Sequence, residues 1–227
     1  MALLSLSPVN HVGTPDHLTV TASRGTDIVP ESSHVPPFQF SSAISKISLP
    51  SHQFVRARVT ITWPQAATVQ WDQAGILFLR PHRDLPKPSK NNPGDERTTP
   101  SFAKVGLEQF QRNTFYSVSA SNGGPPEGSV TQLEADFPQT RKATVEIVKY
   151  GSQLAAIAVY RTREEVEKQV FRVVPWCFAK VEEDGPDVWI GLYVCRPDHE
   201  SETTDGLTVQ FCDFELETVD GGVITFP

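Results

Sequence analysis

Lys104 and Glu108 sit in a short run, Phe102-Ala103-Lys104-Val105-Gly106-Leu107-Glu108, in which apolar and polar residues alternate. Successive side chains on a strand point to opposite sheet faces. Read as a strand, the run sends Ala103, Val105 and Leu107 into a core. It turns Phe102, Lys104, Gly106 and Glu108 the other way. A lysine and a glutamate on one face can flank a ligand, or polarise a carbonyl and move a proton. They can also form a plain ion pair on a wet sheet, worth about 0–1 kcal/mol.

Neighbouring segments extend that face. In the strand read from Trp71 to Leu79, one phase is Trp71, Gln73, Gly75 and Leu77. After it come Ser117, Ser119 and Ser121, then Gly191, Tyr193 and Cys195. Glycines inside strands mark close approach to the backbone, so Gly75 and Gly106 leave room for a ligand. The expectation is a shallow polar and aromatic groove. Its ligand-binding residues are Trp71, Gln73, Gly75, Gly106, Ser119 and Tyr193. Lys104 and Glu108 are its catalytic residues if the protein is an enzyme.

Other chemistry is thinner. A glycosidase needs two carboxylates roughly 5–9.5 Å apart, and Asp213-Phe214-Glu215-Leu216-Glu217 imitates such a pair. However, Val209 and Phe211 share one phase while Phe214 and Leu216 share the other. A bulge near Cys212-Asp213 keeps all four apolar residues inside and leaves the acids in water. Asp72 falls on the phase opposite to Glu108. Arg56 and Arg58 share a face and are expected to meet solvent or carboxylates. The six histidines lack metal-ligand spacing. Asp198, Glu200, Glu202 and Asp205 offer oxygens of the calcium-binding kind but read as a solvated turn. No nucleophile elbow, phosphate loop or dinucleotide fingerprint is present. No metal or cofactor is expected.

The positioning elements are strands. The chain has 227 residues with 19 prolines and 14 glycines. Period-two segments run over 18–22, 43–49, 54–63, 69–79, 102–110, 114–120, 143–149, 154–160, 170–174, 177–181, 188–195, 207–217 and 223–226. About a dozen strands separated by turn residues describe a sandwich or barrel. Arg161–Gln169 is the one helical candidate, and reads equally as a turn. Arg80–Ser101, with five prolines, and Asn122–Gln139 are irregular stretches beyond the ~12–15 residues of an ordinary loop. The first of these is expected to be open to proteases. Residues 1–15 are expected to form a loose arm before one sandwich domain over 16–227.

Composition excludes some partners. The formal charge of −7 disfavours nucleic acid, which needs a basic face. No segment approaches the ~18 apolar residues of a membrane helix. The first eight residues lack a basic region, and Ser5, Ser7 and Pro8 interrupt their apolar run, so no signal peptide is expected. Cys177, Cys195 and Cys212 are an odd set without C-x-x-C spacing, which fits reduced thiols in the cytoplasm.

Four motifs stand in a recognisable order. They are Trp71-Asp72-Gln73-Ala74-Gly75-Ile76, then Lys104-Val105-Gly106-Leu107-Glu108, then Trp189-Ile190-Gly191-Leu192-Tyr193-Val194-Cys195-Arg196-Pro197, and last Phe211-Cys212-Asp213-Phe214. Over about residues 18–216 the chain resembles the DUF1349 family. The resemblance implies an all-β, concanavalin-A-like jelly-roll sandwich of two antiparallel sheets. Its members include fungal proteins described as regulators of enolase, and no activity is established for it. Where members carry Thr-Asp-Phe-Trp, this chain reads Thr26-Asp27-Ile28-Val29. By analogy with other jelly rolls, the expected function is binding a polar small molecule or carbohydrate, or a protein partner, on the concave face. The alternative is a cofactor-independent isomerase or cyclase of a fungal small-molecule pathway, or a glycoside hydrolase, using the same groove. A third reading is a scaffold acting through Arg80–Ser101.

Overall fold

The structure is a computed structural model that describes residues 5–12, 18–29, 39–64, 69–161, 165–179, 185–197 and 205–226. Its strands are β1 (Ser7–Val9), β2 (Thr19–Ala22), β3 (Ile28–Val29), β4 (Gln39–Phe40), β5 (Ala43–Leu49), β6 (Phe54–Thr62), β7 (Gln73–Arg80), β8 (Ser101–Phe110), β9 (Asn113–Asn122) and β10 (Glu127–Thr131). One helical turn, α1 (Phe137–Thr140), leads to β11 (Lys142–Tyr150), β12 (Gln153–Arg161), β13 (Val166–Val174), β14 (Val188–Cys195), β15 (Leu207–Thr218) and β16 (Val223–Phe226).

They form two large antiparallel sheets, as expected of a jelly-roll sandwich. Sheet A has the order β1-β5-β14-β7-β8-β9-β10. Sheet B runs β13-β12-β11-β6-β15-β16, with β2 also paired to β15. The main core lies between them. Ala57, Val59 and Ile61 of β6 point inward, while Arg56, Arg58 and Thr60 point out. Opposite them, sheet A contributes Ala74, Ile76, Phe78, Ala103, Val105 and Leu107. These are the residues that the strand phase assigns inward.

Sheet A is covered on its second face as well. Ile28 and Phe40, from the two-stranded β3–β4 ribbon, pack on Ile44, Leu77, Leu79, Phe102, Trp189, Tyr193 and Cys195. This second cluster is the main departure from the expected open groove. Each cover strand has two residues, too short to show a period.

Other boundaries also differ. Ser7–Val9, within the expected loose arm, pairs with β5, and Asn10 Nδ2 donates to the carbonyls of Phe40 and Ser42. Val166–Gln169, inside the helical candidate, is strand. Residues 177–179 are a turn rather than the expected strand. The irregular stretch after Asn122 contains β10, paired to β9 beyond a Gly-Pro turn. Arg80–Ser101 is a succession of tight turns. His82 bridges Leu85, Ser89 bridges Asn92, and the Asp95 carboxylate accepts from the Arg97 and Thr98 amides.

Candidate functional site

The face of sheet A beneath the ribbon carries the residues singled out above. Directly opposed residues of antiparallel strands project to one face. Tyr193 opposes Gly75, Gly75 opposes Gly106, and Gly106 opposes Ser117. This row has a phenol at one end, a hydroxyl at the other, and two positions without side chains between them. The strands themselves require both glycines. A Cβ on Gly75 would lie 2.1 Å from Val105 O, and one on Gly106 2.0 Å from Ala74 O. A close approach of β7 and β8 therefore accounts for both glycines without a ligand.

The flanking rows bring in the charges. Gly191, Leu77, Lys104 and Ser119 lie on one side; Cys195, Gln73 and Glu108 lie on the other. Lys104 and Glu108 are thus on the predicted face, but that face is dry. Lys104 is 2% exposed and Glu108 7%. They are not joined as an ion pair. Lys104 Nζ donates to Asp27 Oδ1 at 2.6 Å, and the Ile28 amide donates to the same oxygen at 2.7 Å. Burial pushes the Lys104 pKa down, but the Asp27 charge and hydrogen bond outweigh it and leave it above the ordinary lysine value. Ser117 Oγ donates to Glu108 Oε2 at 2.6 Å. Burial raises the Glu108 pKa above the usual carboxylate range, against the Ser117 hydrogen bond and the Lys104 charge. Polarity alone marked these residues as water-facing. Their cover and counter-charge come from Asp27 and the ribbon, which follow strands β1 and β2 and belong to no predicted element.

Tyr193 is fully buried, and its hydroxyl has no hydrogen-bond partner among the described residues. Burial, with Cys195, Glu108 and Asp27 nearby, lifts its pKa well above the ordinary value. Gln73 is buried beside Cys195, whose Sγ reaches Gln73 Oε1 at 3.7 Å. Ser119 is half-buried opposite Lys104.

Trp71 does not join the site. Its φ of 69° places it in a turn before β7, so the alternation does not extend back to it. It is 43% exposed, with its ring centroid 5.0 Å from that of Phe110. The residue beside it plays a part that sequence reasoning missed. Asp72 is fully buried and takes a two-pronged contact from Arg196, Nε to Oδ1 at 2.9 Å and Nη2 to Oδ2 at 2.8 Å. Such planar pairs are strong and directional. This one ties the residue before β7 to the residue after β14. The available signal was that Asp72 and Arg196 both border motif strands, which is informative only once β7 and β14 are paired.

On β15 the register shifts between Cys212 and Glu215, and Asp213 has φ 55°. Val209, Phe211, Phe214 and Leu216 are all buried, as the expected bulge requires. Glu215 accepts from Arg58 at 2.8 Å and from Arg56 at 3.2 Å. Burial raises its pKa, and the two arginines override that and hold it below the usual range. A carboxylate held ionised in this way is a poor general acid. The calcium-type loop lies largely outside the described residues. Among the described residues no group of three or more His, Cys, Asp or Glu could hold a metal ion. None of their helices is long and apolar enough to cross a membrane. Two cavities, of about 580 and 700 Å³, are lined by none of the predicted site residues.

Residues 7–219 match the family described as "Protein of unknown function (DUF1349)". An uncharacterised protein of Emericella nidulans is 28% identical over 222 residues, covering 96% of this chain and 94% of that one. Among solved structures, a functionally unknown protein from Saccharomyces cerevisiae superposes with a TM-score of 0.66 at 16% identity, covering 94% of this chain and 96% of that one. A xylan β-1,4-xylosidase from Bacillus halodurans superposes with a TM-score of 0.53 at 11% identity, over 87% of this chain and 33% of the enzyme. At these identities the two structures establish the fold alone. The motif resemblance is confirmed over nearly the whole chain, which belongs to the DUF1349 family.

Proposed function

We propose that this protein is a binding module without chemistry of its own, taking a small hydroxyl-bearing ligand over Gly75 and Gly106. The observation that carries this reading is the Tyr193 hydroxyl, buried and unpartnered. Such a group costs about 1–3 kcal/mol, and native cores keep few of them. The Glu108 charge acts on Tyr193 and helps to raise its pKa, and one Glu108 oxygen, Oε2, is engaged by Ser117. A ligand hydroxyl can accept from a phenol and donate to a carboxylate oxygen together. A sugar or polyol supplies such groups in series.

Binding is favoured over catalysis because Lys104 is held charged on Asp27 and cannot serve as a base. One feature favours the enzymatic alternative. The raised pKa of Glu108 suits proton transfer in a cofactor-independent isomerase or cyclase. All three cysteines are unpaired, which supports work in the reducing cytoplasm.

The test is a melting-temperature survey of wild type and Tyr193→Phe against monosaccharides, xylo-oligosaccharides and polyols. At least one compound should raise the wild-type melting temperature and raise that of Tyr193→Phe less. No response to any compound, with Tyr193→Phe melting above wild type, would mean the hydroxyl is only an uncompensated defect.

A further inference from the structure

The smaller of the two cavities, of about 580 Å³, lies where the β5–β6 turn, the β11–β12 turn and the segment entering β14 converge. Its lining includes Lys149, Phe178, Pro50, Pro186, Ser51 and Ser152. Lys149 is half-buried, and its ammonium lies 4.9 Å from the Phe178 ring centroid. The hydrogen bond it makes is to the Ser51 carbonyl, at a long 3.3 Å. No carboxylate of the described residues pairs with it. An ammonium has three protons to donate, and one of them is used on the Ser51 carbonyl. Burial lowers the Lys149 pKa, which is the response of a cation lacking a counter-ion.

We propose that this cavity binds a small organic monocarboxylate with an aromatic or apolar body, its carboxylate on Lys149 and its body against Phe178, Pro50 and Pro186. Ser51 and Ser152 line the same space, and a serine hydroxyl can donate to the second carboxylate oxygen. A charge-assisted ammonium–carboxylate bond is about twice as strong as a neutral one, and the apolar walls add selectivity for the body. The charge count points to a monoanion. Lys149 and His52 are the basic groups among the described lining residues, Lys149 the permanent cation, and exposed Asp187 at the rim opposes a second negative charge. The site shares no residue with the face of Tyr193 and Glu108, so it stands apart from the function proposed above.

Isothermal titration of the full chain tests it, with benzoate as probe, benzamide as its neutral isostere and inorganic phosphate as a compact anion. Benzoate should bind wild type, and benzamide and phosphate should bind at least about tenfold more weakly. Lys149→Met should lose about tenfold or more for benzoate, with Lys149→Arg in between. Equal benzoate affinity in wild type and Lys149→Met, tighter binding of phosphate, or no benzoate binding would each overturn the proposal. Should Lys149→Met unfold, NMR titration of wild type decides. Benzoate must then shift the amides of Lys149, Ser152 and Phe178, and shifts confined elsewhere reject the site.

Discussion

Lys104 Nζ lies 2.6 Å from Asp27 Oδ1, 77 residues earlier in the chain, and both residues are buried. The pair bolts the β3–β4 ribbon onto sheet A. The Ser41 and Ser42 amides donate to the Asp27 carbonyl at 2.8 and 3.2 Å, fixing the ribbon around the same residue. Removing one partner strands a charge in a dry place. Asp27→Ala should therefore cost about 3–5 kcal/mol in urea unfolding. Replacing both residues, as Asp27→Leu with Lys104→Met, should recover much of that loss, because apolar pairs of similar volume often substitute well. A cost below about 1 kcal/mol for Asp27→Ala, the range of an exposed pair, would show that the ion pair is solvated.

Glu108 should leave a pH signature. Its folded pKa is raised, chiefly by burial, so the native state holds its proton to higher pH than the unfolded chain does. Stability then falls as pH rises from the ordinary glutamate range through the folded value. Glu108→Gln should remove that slope and flatten the melting temperature across the window. An unchanged slope would place the titration on another group.

Gly106 is fixed by the neighbouring strand. A Cβ there would lie 2.0 Å from Ala74 O and 2.6 Å from Gly75 Cα, and backbone cannot swing aside as a side-chain end does. Gly106→Ala should cost roughly 1–3 kcal/mol or more, the range for overpacking. Near-wild-type stability would mean that β7 and β8 stand further apart than described.

The bulge on β15 gives a milder test. Asp213 is exposed, with φ 55°, where glycine is at ease and a β-branched residue is not. Asp213→Gly should be neutral or slightly stabilising, and Asp213→Val should cost about 1–2 kcal/mol. Equal effects of the two changes would argue against the left-handed conformation.

That bulge was legible because Val209 and Phe211 stand out of phase with Phe214 and Leu216, and only an extra residue reconciles them. The charged face of β6 was legible for the same reason, since Arg56 and Arg58 alternate with Ala57 and Val59. Burial of Lys104 was not legible. Alternation tells which face a residue takes, and says nothing of what covers that face. The cover here is two short strands whose hold depends on a contact 77 residues away. Trp71 was misplaced because one residue with positive φ ends the period without changing composition. The Asp72–Arg196 clamp needed the pairing of two strands distant in sequence. Tyr193 was singled out by its place in a small-aromatic-small row, but its unpartnered hydroxyl is a property of packing.

The most direct test of ligand binding at Tyr193 and Glu108 is native mass spectrometry of the protein freshly purified from cells. Wild type should carry a small hydroxyl-bearing molecule released on denaturation. Tyr193→Phe and Glu108→Gln, each still folded by circular dichroism, should carry it at much lower occupancy. No bound molecule on wild type, or equal occupancy on all three proteins, would contradict the account.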